Sequence, residues 1–265
     1  MVRLRHDLTE GPEMSADLSA TTRGHRPVVL WAVPRSRSTA FERTFVERDD
    51  FDVLHEPFSA TYYHSPERRS DAFLDGAPDP AHSAQRVLED VRRPRARRVF
   101  VKDMAYHVTD VMDAAFVAHF DNSFMIRHPR ETLVSLHRKH PTFTFEEAGF
   151  EQLARLYDYV TRDGASAPVV DADDLMHDPE ATVRAYCAAL DIPFAADALS
   201  WQPQQVDAFD TWDSWHDHAQ HSTGLGEVEQ DETPLPAELQ DVYRRCMPHY
   251  ERLRARVTPG EAAGG

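Results

Sequence analysis

The sequence predicts an α/β fold in which a central parallel sheet of about five strands is flanked by helices on both faces. Three observations carry that prediction. Short apolar or β-branched runs at Val28–Val33, Phe51–Leu54, Arg98–Lys102, Ser123–Ile126 and Ala167–Val170 alternate with stretches of helical period. The first run is apolar without interruption, as in a strand covered on both faces. Polar loops at 34–39, 55–57, 102–107 and 127–130 each leave the end of one such run. In a parallel sheet these loops converge at the carboxyl edge, where ligands bind.

Taken in order, residues 1–25 are polar, are broken by Gly11, Pro12 and Gly24, and read as a flexible arm. Residues 26–257 read as one folded domain and 258–265 as a disordered tail. Within the domain, a helix follows the first run at once and is expected to end near Arg48-Asp49-Asp50. Residues 59–97, rich in Ser, Asp, Pro and Arg, look like a lid or substrate-side insertion with one amphipathic piece around Val87, Leu88 and Val91. Met112, Ala115, Phe116 and His119 recur at helical spacing, as do Leu133, Val134, Leu136 and His137, and then Phe150, Leu153, Leu156, Tyr157 and Val160. Asp178-Pro179-Glu180 supplies an N-cap, a first-turn proline and a first-turn acid for the helix through Tyr186 and Leu190. A closing helix is expected from about Pro236 to Val257, bent at Pro248.

Composition narrows the function. The 265 residues carry a formal charge of −16, which disfavours non-specific nucleic-acid binding and a long polyanionic acceptor. No apolar run is long enough to span a bilayer, and no secretory leader pattern opens the chain. Cys187 and Cys246 lie in helix-like patterns without ligand spacing and read as buried thiols in a reducing, cytoplasmic setting. His216, His218 and His221 beside Asp213 and Asp217 are ligand types for zinc, but the segment has no regular frame, so no metal is expected.

The chemistry concentrates after the first run, in Pro34-Arg35-Ser36-Arg37-Ser38-Thr39. A helix N-terminus offers unpaired N–H groups and a partial positive charge. Arg35 and Arg37 add full charges, and Ser36, Ser38 and Thr39 add hydroxyl donors, which makes an oxyanion cradle. It lacks the glycine-rich loop and the Gly-Lys-Ser/Thr of a triphosphate-binding loop. A second signal is Arg127 at a strand end with Ser135 eight residues on, two helical turns away, a pair able to clamp a second phosphate.

Together these motifs resemble the sulfotransferase superfamily that uses 3′-phosphoadenosine 5′-phosphosulfate (PAPS). The likeness is nearer to a bacterial and plant subgroup labelled sulfotransferase-like or branched-chain-aminotransferase-like. It covers roughly residues 27–255 and includes His55-Glu56-Pro57-Phe58, Lys102-Asp103-Met104-Ala105, Ile126-Arg127-His128-Pro129-Arg130-Glu131 and Ser222-Thr223-Gly224. The resemblance implies a P-loop-NTPase-like three-layer sandwich and sulfuryl transfer from PAPS to a hydroxyl, or less readily an amine, of a small molecule. It implies that 34–39 holds the 5′-phosphosulfate, with Arg35 countering charge on the leaving phosphate. Arg127 and Ser135 hold the 3′-phosphate, and Ser222, Thr223 and Gly224 approach the nucleotide. For the general base it offers Glu56 first, then His107, then His55, with Lys102 bridging acceptor and sulfate. Where many members carry an adenine-stacking tryptophan this chain has Ala40 and Phe41, so Phe41 is the replacement to test. A biosynthetic role in specialised metabolism and a homodimer as one candidate assembly complete the expectations. The competing readings are a nucleotide-dependent small-molecule kinase on the same fold, with Asp103 as its metal-binding acid, and a non-catalytic nucleotide-binding protein.

Overall fold

The computed structural model describes residues 25–73, 76–202, 223–226 and 233–259. The N-terminal arm, the tail from 260, the histidine-rich segment and Ser222 therefore lie outside the described residues. Five parallel strands, β1 (Val28–Ala32), β2 (Phe51–His55), β3 (Arg98–Met104), β4 (Asp121–Ile126) and β5 (Val169–Asp171), form one sheet in the order β2-β3-β1-β4-β5. Every residue of β1 is buried, and successive side chains enter opposite cores. Val29 and Trp31 join one core; Val28, Leu30 and Ala32 join the other. The apolar run predicted a strand covered on both faces, and this is it.

Helices make the outer layers. On one face lie α1 (Ser38–Val46), α2 (Ser59–His64), α7 (Ala172–His177) and α8 (Pro179–Ala189), contributing Phe41, Phe45, Tyr62, Tyr63, Leu175 and Tyr186. On the other lie α3 (Ala84–Val91), α4 (Ala114–Val117), α5 (Pro129–Lys139), α6 (Phe150–Thr161) and α9 (Gln240–Arg254). Trp31 sits at the heart of this second core, against Phe58, Phe116 and Phe120, while its indole N–H donates to Asn122 Oδ1 at 3.0 Å. Cys187 and Cys246 are both buried free thiols, and burial pushes them up to about 11 and about 12. Among the described residues no helix is long and apolar enough to cross a membrane.

Several boundaries differ from the sequence expectation for local reasons. The first helix stops at Val46, where the Glu47 N–H closes on the Arg43 carbonyl and the Arg48 N–H on the Phe45 carbonyl, rather than near Asp50. The periodic stretch 112–119 yields only the short α4, because Asp113 caps Phe116 N–H and starts the helix late. Helix α2 was not anticipated within the polar 59–97 stretch, although α3 falls on its amphipathic piece. The closing helix begins at Gln240 after a single tight turn (Ala237–Leu239), ends at Arg254, and holds Pro248 inside it. Asp178 does cap α8, its side chain accepting from Ala181 N–H at 3.0 Å.

Because β1 lies between β3 and β4, the connections from its carboxyl end diverge, and a crevice opens there. Gly149, the N-cap of α6, seals one side of it in the left-handed region at φ +80°. A Cβ at Gly149 would stand 3.2 Å from Pro34 Cδ and 3.6 Å from Tyr106, whereas Gly164, at φ +79°, faces open space. Both Gly149→Ala and Gly164→Ala should lose roughly 1–3 kcal/mol from backbone strain in urea unfolding. Gly149→Ala should lose measurably more, because its methyl presses on the Pro34 turn.

Candidate active site

The turn after β1 is tight and wound left. Arg35 and Arg37 hold φ of 59° and 64°, and Ser36 lies between them. The Ser36 hydroxyl donates to the Val33 carbonyl at 2.7 Å, so this buried serine pins the turn instead of reaching outward. Alternating handedness of this kind turns successive backbone N–H groups toward one concavity. Arg37 is also the N-cap of α1, and no side chain caps that helix. The first turn, with Ser38 and Thr39, therefore presents its amide face to the crevice.

Arg127 arrives from the end of β4. Its Nη1 donates to the Arg35 carbonyl at 3.1 Å, and its Nη2 pairs with Glu131 on α5. Arg35 Nε in turn donates to Ser135 Oγ at 3.0 Å. The two expected anion clamps thus meet at Arg35, whose backbone holds one element and whose side chain holds the other. Burial first, and the Arg127 charge second, pull the Arg35 and Arg37 guanidinium groups down. Among the described residues, Arg37 Nε and Arg127 Nε are buried donors with no partner. Buried donors normally have one, so this crowd of like charges with orphaned N–H groups could take an anion. The Asp173 carboxyl, raised chiefly by its burial and then by Glu131, stands near both Arg37 and Arg127.

On the other side of β1, the β2 and β3 ends carry a second group. Lys102 on β3 is fully buried, and its Nζ pairs with Glu56. The Glu56 N–H donates to the Lys102 carbonyl at 2.8 Å, and Glu56 holds a strained φ of 45°. His55 Nδ1 lies 2.7 Å from Glu42 Oε2, and its Nε2 lies 3.7 Å from Glu56 Oε1. Lys102 Nζ is 3.9 Å from that same Glu42 oxygen.

Asp103, one residue on, points to the opposite face. Its Oδ2 accepts from Phe58 N–H at 2.7 Å; its Oδ1 takes Met104 N–H at 2.8 Å and meets His107 Nδ1 at 2.6 Å. Both oxygens are engaged within the chain, so Asp103 fits the role of a brace for the 55–58 loop and not the metal-binding acid of a kinase. Among the described residues His107 Nε2 is buried without a partner, and the ring stands among Tyr62, Tyr63 and Tyr106. The Tyr63 and Tyr106 hydroxyls are 3.2 Å apart, and burial raises both phenols.

The family profile described as Sulfotransferase domain matches residues 26–257. The chain belongs to the sulfotransferase family. Two curated relatives from Arabidopsis thaliana are named branched-chain-amino-acid aminotransferase-like protein 2 and protein 1. They are 29% and 28% identical over 238 and 235 residues, covering 86% of this chain and 41% of each relative. The chain therefore spans about two-fifths of their length. A crystal structure of mouse sulfotransferase SULT7A1 complexed with PAP aligns over 87% of this chain and 86% of its own, at 10% identity and a TM-score of 0.40.

Within this sulfotransferase domain the structure brings together Arg35, Arg37, Ser38, Thr39, Arg127 and Ser135 on one side of the crevice. Lys102, Glu56, His55 and His107 gather on the other. Besides Ser36, two expectations change. Phe41 is fully buried against Phe45 and Tyr186, so it is a core residue and cannot be a stacking platform for a base. Gly224 is required by its neighbour: it bridges to Ser200, and a Cβ there would stand 2.8 Å from the Leu199 carbonyl. Thr223 takes part in the same join, its carbonyl accepting from Trp201 N–H. Among the described residues no His, Cys, Asp and Glu group could hold a metal ion.

Sequence reasoning missed Glu42, Asp103 as a brace and Gly149; it offered Glu131 as the partner of Arg127, and the two do pair. Glu42 is a fully buried carboxylate next to the equally buried Arg43, which pairs with the partly exposed Glu47, and helical period alone does not distinguish it from a surface acid. Asp171, which caps α7 and accepts from Tyr250 O–H at 3.1 Å, is raised to about 6 by burial. The native state then binds this proton more tightly than the unfolded chain, so stability falls as pH rises from about 4 to about 6 and levels off above. Asp171→Asn should flatten that decline in pH-dependent thermal unfolding while keeping the cap to Asp173.

Proposed function

We propose that this domain moves a sulfuryl group from PAPS to a hydroxyl of a small-molecule acceptor, with an amine as the weaker acceptor class, and releases the bisphosphate PAP. The observation that carries the reading is the Arg35, Arg37 and Arg127 cluster, with two buried Nε atoms lacking partners, at the mouth of an uncapped helix. An arginine fork and backbone N–H groups suit a tetrahedral oxyanion held without a metal. Family membership supports the same donor. The residues fit a nucleotide with two separated phosphate groups: the 34–39 turn for the 5′ end, Arg127 and Ser135 for the 3′ end. PAPS supplies the sulfuryl group and a phosphate able to leave with its electron pair.

The chain's own residues do the rest. Arg35 reaches Ser135, is held through its carbonyl by Arg127, and feels the Glu56 charge, so it links the anion side to the proton side. Lys102 holds Glu56 in a water-poor position, and Glu56 takes the acceptor proton. The acidic chain favours a small acceptor over a polyanion. His107 is the second reading for the base, favoured by its orphaned Nε2 and by Asp103 bearing on Nδ1.

Isothermal titration of PAP against ATP with magnesium tests the nucleotide: preference for PAP supports the reading, and preference for ATP ends it. Arg127→Ala should weaken PAP by about 10- to 100-fold, the worth of a charged hydrogen bond. Adenosine 5′-phosphosulfate, which has no 3′-phosphate, should be weakened far less. Glu56→Gln should cut turnover by about 100-fold with PAP affinity retained, measured by mass spectrometry of a hydroxyl-acceptor panel. Turnover kept in Glu56→Gln and lost in His107→Gln assigns the base to His107.

A further inference from the structure

On the Asp103 face of the crevice, two buried acceptors have no donor. His107 stands in the turn after β3, and Glu147 in the turn that leads from α5 into α6. Each exposes only 3% of its surface. Asp103 Oδ1 accepts the Met104 N–H, and a carboxylate oxygen can only accept again, so His107 Nδ1 carries the proton. His107 Nε2 is then a lone pair, and among the described residues nothing donates to it. Glu147 Oε2 accepts from Thr144 N–H at 2.7 Å, which closes its own turn, and His140 Nε2 stands 3.7 Å from that same oxygen. Glu147 Oε1 has no partner among the described residues. Its neighbour Glu146 is answered by Arg69 and by the Tyr62 O–H. Of the two acids in this turn, the buried one is left bare.

Both acceptors belong to one aromatic neighbourhood. The His107 ring lies 5.6 Å from Tyr62, 5.7 Å from Tyr63 and 4.4 Å from Tyr106. The turn that carries Glu147 ends at Gly149, where a Cβ would stand 3.6 Å from Tyr106. Tyr62 O–H donates to Glu146 at 2.9 Å, so α2 closes on the same turn. Burial first raises the Tyr63 and Tyr106 phenols, and both also feel the Glu56 and Glu147 charges. The paired hydroxyls of these tyrosines are therefore within reach of both carboxylates. A buried acceptor left without a donor is costly, and a buried carboxylate oxygen more so. A ligand that relieves both must bring two donors, and the one at Glu147 must bring positive charge.

We propose that the acceptor is an amino alcohol or an aminophenol, whose hydroxyl meets His107 Nε2 and whose protonated amine meets Glu147 Oε1 among the tyrosine rings. This rests on the reading of the domain as a sulfotransferase for hydroxyls and adds the charge of the acceptor to it. Aromatic faces stabilise an ammonium in the same way as they do a lysine. Glu147 also selects the reacting group: an amine kept protonated by a carboxylate has no lone pair with which to attack sulfur. The hydroxyl is left as the nucleophile.

Calorimetric titration of the PAP-saturated protein with matched probes tests this. Tyramine, 4-propylphenol and 3-(4-hydroxyphenyl)propanoate share a phenol and differ in end group; 3-aminopropan-1-ol and butan-1-ol form an aliphatic pair. In at least one pair the amine should bind about 10- to 100-fold more tightly than its neutral partner, the worth of a charged hydrogen bond, and the propanoate should bind least. Glu147→Gln keeps an oxygen for Thr144 N–H and should bring amine and neutral partner within about threefold. Its PAP affinity should stay within about twofold. Equal binding of amine and neutral partners to the unaltered protein overturns the proposal without recourse to a variant. So does an amine preference that survives in folded Glu147→Gln. Sulfate passed from PAPS to 4-propylphenol as readily as to tyramine removes the amine and leaves the sulfotransferase reading. Amine-selective binding with no sulfate transfer to any probe instead removes the transfer reading and leaves Glu147 as an ammonium site.

Discussion

The buried pair of Lys102 and Glu56 is the constraint on which the crevice depends. An ammonium on a central strand, with no exposure to solvent, is tolerated only with a carboxylate in contact. That demand fixes Glu56 at a φ an acidic residue rarely adopts, and the backbone bond from Glu56 N–H to the Lys102 carbonyl holds it there. The ends of β2 and β3 are thereby tied by side chain and main chain at one point. Strain of this order persists where its surroundings over-determine it, and here they do: His55, one residue earlier, is in register with Lys102 and engages Glu42.

Charge is sorted across β1. To one side, toward β4, stand Arg35, Arg37 and Arg127; to the other, toward β2, stand Glu42 and Glu56 around Lys102. On a chain of formal charge −16, such sorting concentrates positive potential in the crevice and leaves the outer surface acidic. Glu131 already occupies one arm of Arg127, and Asp173 stands close by, so an incoming phosphate meets guanidinium groups that are partly answered. On the proposed reading, binding there would exchange one anion for another. This keeps three arginines together without an anion bound, at the expense of some affinity.

Much of the sheet was legible because it depended on short-range patterns. An unbroken apolar run marked β1, and Pro34 with two arginines marked its end. Asp178-Pro179-Glu180 marked the start of α8 through capping chemistry that acts within four residues. Ser135 was placed by helical spacing alone, and it does return to the crevice, although the structure joins it to Arg35. What escaped was set by distant partners. Phe41 has the position and type of a stacking aromatic, and only the packing of Tyr186 against α1 turns it into core. Gly149 owes its identity to Pro34, more than a hundred residues earlier. Ser36 looked like a ligand because its hydroxyl is free in the sequence and bonded to Val33 in the fold. Glu42 has no local signature, since its partners lie on two other elements.

Lys102 and Asp103 show how one strand end serves two tasks. Neighbours on a strand point to opposite faces, so Lys102 enters the layer of α1 while Asp103 enters the layer of Phe58. Each meets a histidine-bearing partner there: Glu42–His55 on the first face, Asp103–His107 on the second. The two carboxylate–imidazole pairs look alike but are differently loaded. Asp103 accepts two backbone N–H groups besides the imidazole, which makes its charge part of the scaffold of the 55–58 loop. Glu42 accepts from no backbone group and has a bare oxygen, so its charge is answered only by side chains that can change protonation. On the proposed reading of Glu56 as the base, the Asp103 face would brace the loop that carries it.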